Sequence, residues 1–259
     1  MLDEAPDDAL ELLAKMTQAT DRDLAALSKR LAGRIVLDLA RTGTVKSRGV
    51  GRLIRQRATP NATDVDLDAS LDAVVEARAV GRRPSLEDLH AVQWQQPATA
   101  ICLLVDRSGS MNGERLASAA LAAAVCAWRA PDHFAVLAFG DRVIELKGLE
   151  ATKSPDSLVA EVLALRGHGT TDVALALSAA QRQLRDSAAT RRLTILLSDA
   201  EVTTGGDPVP VARSLDELIV LAPADEPEHA RELVAAAGGR LAEVEGPLSV
   251  LDALRRVVE

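Results

Sequence analysis

Aromatic residues are nearly missing from this chain: two Phe, two Trp and no Tyr among 259 residues, 2% of the total. A core without large rings has to be filled by the aliphatic residues that dominate its 47% hydrophobic content, with elements packed closely. The same scarcity leaves little to stack on nucleic-acid bases. A formal charge of −8 with a pI near 5.2 likewise removes the concentrated basic field that phosphate backbones require, so nucleic acid is not an expected partner. Cysteine is limited to Cys102 and Cys126, which form neither a CxxC pair nor a His/Cys zinc spacing and are read as small buried apolar residues. No apolar run approaches the roughly 18 residues of a membrane span, and Met1–Asp8 is acidic where a secretory signal is basic and then apolar. A cytoplasmic protein without a membrane segment is expected. Gly49-Val50-Gly51 lacks the Lys-Ser/Thr that completes a Walker loop, so the chain is not expected to hydrolyse ATP itself.

What is present divides near residue 97, into a helical N-terminal region, 1–96, and an alternating region, 97–259. Ala9, Leu12, Leu13 and Met16 recur at helical spacing, Leu24, Leu27, Leu31, Ile35 and Leu39 form a longer stripe, and Leu67, Leu71, Val74 and Val75 a third. Thr20 with Asp23 reads as an N-cap and acidic first turn. Such stripes need a partner, so they form either a small bundle or a cap laid on the next domain. Between the second and third, Arg41–Arg57 holds six basic residues and no acid. It is a solvated loop, or a docking surface for an acidic partner carried by Arg48, Arg52 and Arg55; nucleic acid ranks last for want of interleaved aromatics. Gly81–Pro84 is a break, and Leu89–Trp94 alternates as a short strand does.

After residue 97 strands and helices alternate, the pattern of a doubly wound, mostly parallel α/β sheet. Strand Thr99–Val105 leads to a helix from about Asn112 to Trp128, then a hairpin of His133–Ala138 and Arg142–Leu146, and a helix from about Pro155 to Leu165. Val173, Leu177, Ala180 and Leu184 mark one face of the next helix, before strand Arg192–Leu197. Strand Glu217–Leu221, helix Glu228–Ala237, strand Arg240–Val244 and helix Leu248–Val258 complete the series.

The chemistry sits at the ends of these strands. The apolar run that closes in Asp106-Arg107-Ser108-Gly109-Ser110 places Asp106, Ser108 and Ser110 on one loop at the carboxyl edge of the sheet, where open α/β folds bind ligands. Oxygen side chains at that spacing suit a hard cation such as Mg²⁺, which takes oxygen ligands octahedrally at about 2.0–2.1 Å and keeps some of its waters. Further oxygens are available on the loop Gly167-His-Gly-Thr-Thr-Asp172 and at Asp199, which ends a second apolar strand. Asp-x-Ser-x-Ser, a Gly/Thr loop and a strand-terminal Asp, in that order, resemble the von Willebrand factor A domain with its metal-ion-dependent adhesion site.

The resemblance implies a six-stranded sheet in the order 3-2-1-4-5-6. It implies that Ser108, Ser110 and Thr171 lie on or next to the metal, and that Asp106 and Asp199 bind it directly or through water. Ala200 stands where the family usually has glycine. Two carboxylates balance a divalent ion, Mg²⁺ with Mn²⁺ or Ca²⁺ as alternatives, and leave an exchangeable water whose natural replacement is a carboxylate from a partner. A helical segment before such a domain is similar to bacterial proteins that work beside MoxR-type AAA+ ATPases. The metal-site domain also resembles the integrating subunit of magnesium chelatase. The expected partner is therefore an AAA+ ATPase or its client. A metal-dependent hydrolase is the rival class, with His168 or Glu201 as base. A third reading, Ser108 and Ser110 as helix caps beside two buried carboxylates, forces one of the acids to take up a proton.

Overall fold

The computed structural model describes residues 6–16, 33–34, 36–38, 40, 52–58, 65–95, 99–108, 113–167 and 169–258. They fall into two units, residues 1–46 with 98–259, and residues 47–97. The first element is helix α1 (Pro6–Met16), which belongs to the larger unit; short helical pieces follow at 33–34, 36–38 and 40. Leu24, Leu27, Leu31, Ile35, Leu39 and the cap pair Thr20 and Asp23 lie outside the described residues.

The described residues of the smaller unit form a three-stranded antiparallel sheet, an α-helix and a 3-10 turn at Leu86–Asp88: β1 (Arg52–Arg57), β2 (Val65–Asp66), α2 (Leu67–Ala79) and β3 (His90–Gln95), with strand order β1-β3-β2. β1 runs the length of β3, from Arg52 opposite Gln95 to Arg57 opposite His90. Three expectations are corrected here. The N-terminal region is not helical throughout, and the stretch read as a basic loop is a strand over 52–57. Leu53 and Ile54 interrupt the charges there, and β3 offers a full row of backbone partners. The α2 stripe is not buried either: Leu67, Leu71 and Val75 are exposed, whereas Ser70 and Ala77 are buried. The helix is drawn down by its polar side. The Ser70 hydroxyl donates to the Asp66 carbonyl at 2.6 Å and accepts the His90 N–H at 2.8 Å, and Asp66 Oδ1 caps the Ala69 N–H at 3.0 Å. Arg82 grips Asp88 with both amino groups, at 2.6 and 2.7 Å, and holds that carboxyl far below its ordinary range.

The larger unit continues with β4 (Thr99–Asp106), α3 (Gly113–Arg129), β5 (Phe134–Phe139), β6 (Val143–Lys147), α4 (Pro155–Leu163) and α5 (Val173–Arg185). It ends with β7 (Arg191–Leu197), α6 (Val209–Arg213), β8 (Glu217–Pro223), α7 (Glu228–Ala237), β9 (Arg240–Val244) and α8 (Pro247–Val258). The sheet order is β6-β5-β4-β7-β8-β9, the 3-2-1-4-5-6 arrangement expected, with β6 antiparallel and the rest parallel. β4 is central and buried on both faces, so it reads as a continuous apolar run. Ile101, Leu103 and Val105 join one core with α1, α3, α4 and α8; Ala100, Cys102 and Leu104 join the other with α5, α6 and α7. The two phenylalanines are the two ends of β5, Phe134 serving the first core and Phe139 the second.

Every residue of α3 from Leu116 to Ala127 is buried, because the sheet, α1, α4 and α8 all pack on it. Alanine makes that possible: a helix enclosed on all sides needs short side chains for its neighbours to approach. At its start a Cβ on Gly113 would lie 2.9 Å from the Glu11 carbonyl, so α1 crosses directly over the first turn. Asp7 fastens α1 to α8 by accepting the Leu248 N–H at 2.9 Å, one of the helix-start amides with no partner inside α8. Of the two options for the N-terminal stripes, α1 therefore takes that of a cap. Cys102 and Cys126 are both buried free thiols whose titration burial pushes upward, leaving them unreactive. Among the described residues no helix is long and apolar enough to cross a membrane.

Candidate functional site

β4 and β7 run in parallel register, Val105 opposite Leu197, so their next residues, Asp106 and Ser198, meet at the carboxyl edge of the sheet. Asp106 is 5% exposed, yet both its oxygens are engaged. Oδ1 accepts the Ser108 N–H at 2.8 Å and Oδ2 the Ser198 hydroxyl at 2.5 Å. Burial pushes the Asp106 carboxyl above its ordinary range; the bonds from Ser198 and Ser108 oppose the shift, and the nearby Asp199 charge adds to it. The edge therefore holds two mutually repelling carboxylates.

Asp199 is fixed differently. Its Oδ1 accepts the Glu201 N–H at 3.0 Å, and its Oδ2 accepts from Arg115 of α3 at 3.3 Å. Arg115 also reaches Glu226 at 2.8 Å. Burial works against the guanidinium charge, but Glu226 and Asp199 outweigh it and raise the Arg115 pKa.

Thr171 is 3% exposed and bound to the loop that follows Asp199. Its N–H donates to Thr203 Oγ1 at 2.7 Å, and its carbonyl accepts the N–H groups of Thr203 and Thr204, each at 3.2 Å. The Asp172 N–H donates to the Gly140 carbonyl at 3.0 Å, while its carboxylate caps the Leu175 N–H of α5 at 2.8 Å. Gly205, at φ +91°, closes the contact: a Cβ there would lie 2.2 Å from the Asp172 carboxyl carbon.

The fold thus brings Asp106, Ser108 and Asp199 to one edge and ties the Thr171 loop to the segment after Asp199. Ser110 and His168 lie outside the described residues, as does Arg48; Arg52 and Arg55 stand on β1 of the smaller unit. Glu201 is exposed, its amide spent on Asp199. Two participants are added. Ser198 had one available signal, a hydroxyl just before a strand-terminal acid. Arg115 had none, since its role comes from α3, packed on β4 and β5, starting within reach of Asp199 just past the end of β7.

Ala200 adopts φ +62°, alone among the described non-glycine residues in the left-handed region. This is why glycine suits the position, and the turn keeps its shape because Ser198 Oγ accepts the Ala200 N–H at 2.9 Å. A left-handed L-residue costs about 1–2 kcal/mol, and glycine's looser unfolded chain gives back about 0.4–1 kcal/mol. Ala200→Gly is therefore expected to stabilise the chain by up to about 1.5 kcal/mol, read as a higher urea midpoint at unchanged slope. A lower midpoint would contradict the strain.

Among the described residues no group of three or more His, Cys, Asp or Glu is placed to hold a metal ion. The edge offers instead a carboxylate pair with hydroxyls beside it, a donor set that fits a hard divalent cation and not zinc. Asp106, Ser198 and Asp199 also line a cavity of about 350 Å³ that extends to the ends of β8 and β9.

A sequence profile described as "VWA domain containing CoxE-like protein" matches residues 31–230. No curated protein matches the chain significantly. Among solved structures, a von Willebrand factor type A protein from Catenulispora acidiphila is similar at 18% identity and TM-score 0.50, over 64% of this chain and 43% of that one. BatB from Bacteroides thetaiotaomicron is similar at 16% identity and TM-score 0.51, over 62% of this chain and 97% of that one. Proximal thread matrix protein 1 from the mussel byssus is similar at 15% identity and TM-score 0.51, over 62% and 47%. At these identities the likeness is one of fold, and this chain spans less than half the length of the first and third structures. With the profile covering 200 of the 259 residues and the sheet order in place, the chain belongs to the family of VWA domain containing CoxE-like proteins.

Proposed function

We propose that this chain is a non-catalytic, divalent-metal-dependent protein-binding module whose metal accepts a carboxylate from a partner. The observation that carries the reading is the meeting of Asp106 and Asp199 at the ends of adjacent parallel strands, with Ser108 on the same edge and the Thr171 loop bound to the segment after Asp199. Asp106, Ser108, Ser110, Thr171 and Asp199 would hold Mg²⁺, with Mn²⁺ or Ca²⁺ as substitutes. When bound, the ion supplies an electrophilic coordination position with an exchangeable water. The remaining groups hold the ligands in place. Ser198 fixes the second oxygen of Asp106, and Arg115 orients Asp199 while offsetting part of the charge at the edge.

Family membership supports a partner of the MoxR-type AAA+ class, or the client of one, and the lack of a Walker motif assigns ATP hydrolysis to that partner. Arg48, Arg52 and Arg55 would supply a second, acid-seeking docking surface. The test is capture of the purified MoxR-type ATPase on immobilised chain, with Mg²⁺ and with chelator. Capture is expected to fall about tenfold or more on chelation, as the loss of a metal-bound carboxylate implies. Equal capture in both buffers would overturn the metal-dependent reading.

A further inference from the structure

Beside the carboxylate pair, the cavity of about 350 Å³ is of the size that takes a small ligand or a side chain. Its walls are of two kinds. Leu197, Leu221 and Val244 form an apolar floor at the ends of β7, β8 and β9. Glu114, Asp225 and Glu245 form an acidic mouth, and among the described residues none of these three is in an ion pair. Arg115 also lines the cavity, but its charge is turned to Asp199 and Glu226.

A second observation is independent of the acids. Ser118 of α3 is 6% exposed and lines the same cavity. A helical serine ordinarily returns its hydroxyl to the preceding turn, as Ser178 does to the Ala174 carbonyl at 2.8 Å. Ser118 makes no such bond among the described residues, so a serine that is more than nine-tenths buried lines the cavity without a hydrogen-bond partner. The local field agrees with the count of charges. Burial first, and then Glu11, Asp7 and Asp225, push the Glu114 carboxyl upward, with only Arg115 opposing.

We propose that this cavity receives a basic side chain, lysine or arginine, from the bound partner. The aliphatic stem lies along Leu197, Leu221 and Val244, and the cationic head donates hydrogen bonds to Ser118 Oγ and the mouth carboxylates. Long basic side chains divide themselves in this way between apolar wall and polar rim. The cavity and the metal edge share Asp106 and Asp199, so the partner segment would carry its basic residue close to the carboxylate given to the metal. That pairing rests on the proposed metal reading; the basic-side-chain pocket does not.

The probe is n-butylammonium, compared with n-butanol, titrated into the isotope-labelled full chain in excess chelator and followed at the Ser118, Leu221 and Val244 amides. Saturable shifts with n-butylammonium and none with n-butanol are expected. Asp225→Asn with Glu245→Gln, both at exposed positions, is expected to weaken capture about tenfold. Equal response to the alcohol, no response to the ammonium ion, or unchanged capture in the double variant would overturn the pocket. A Mg²⁺ titration on chelator-free samples, followed at Ser108 and Thr171, reads the other claim separately. No Mg²⁺ response with ammonium capture intact sinks the metal reading and with it the paired carboxylate. A Mg²⁺ response without ammonium capture sinks the pocket alone.

Discussion

Asp106→Asn is expected to leave the chain folded and to weaken Mg²⁺ binding by about a hundredfold or more, since losing even an outer partner of a metal ligand costs about 10–100-fold. The amide keeps an oxygen for the Ser108 N–H, and its nitrogen can donate to Ser198 Oγ, so the hydrogen-bonded frame survives while the charge is lost. Without metal the substitution is expected to help. Burial raises the Asp106 pKa, so its contribution to metal-free stability is fully present below the ordinary carboxylate range and is lost as pH rises through the raised value. Wild type in chelator should therefore lose stability over that interval, and the Asn variant should lose less. Calorimetric Mg²⁺ titration and urea melts against pH check both halves. Undiminished Mg²⁺ uptake by the variant would remove Asp106 from the site.

Phe139→Ala is expected to cost about 3–5 kcal/mol, the range for truncating a buried aromatic, against a total stability of about 5–15 kcal/mol. Phe139 is fully buried, and the core around it is built from Ala, Val and Leu whose short side chains cannot close over the space. Its position also matters for the site: it pairs with Asp106 across β4 and β5, and its carbonyl accepts the Arg107 N–H at 2.8 Å. The variant should unfold at much lower urea concentration. A loss under about 1 kcal/mol would mean that the core collapses around the gap.

The larger unit was legible because its signals are local. The central strands are apolar runs, most of the longer helices carry an apolar stripe, and α7 and β9 begin and end at the residues expected. Short α6 escaped notice because five residues are too few to show a period. The smaller unit was read less well for a physical reason. In β1 the charges outnumber the apolar residues, so what makes it a strand is the backbone of β3, about 40 residues away in sequence. In α2 the helix docks through Ser70 and Ala77, which no hydrophobic pattern singles out.

The site divides along the same line. Asp106, Ser108 and Asp199 could be picked out because strand-end oxygens stand next to apolar runs. Glu114, Arg115 and Ser118 are brought to that edge by the packing of α3 on the sheet, and Asp225 and Glu245 join them from the ends of β8 and β9. No spacing encodes that meeting.

The most direct measurement is anomalous scattering from crystals of the full chain grown with Mn²⁺. One peak per chain is expected, within bonding distance of Asp106 or Asp199 directly or through one water, and flanked by the Ser108 and Thr171 hydroxyls. A map without a peak at that edge, with Asp199 still held by Arg115 and Asp106 by Ser198 in saturating Mn²⁺, would contradict the account.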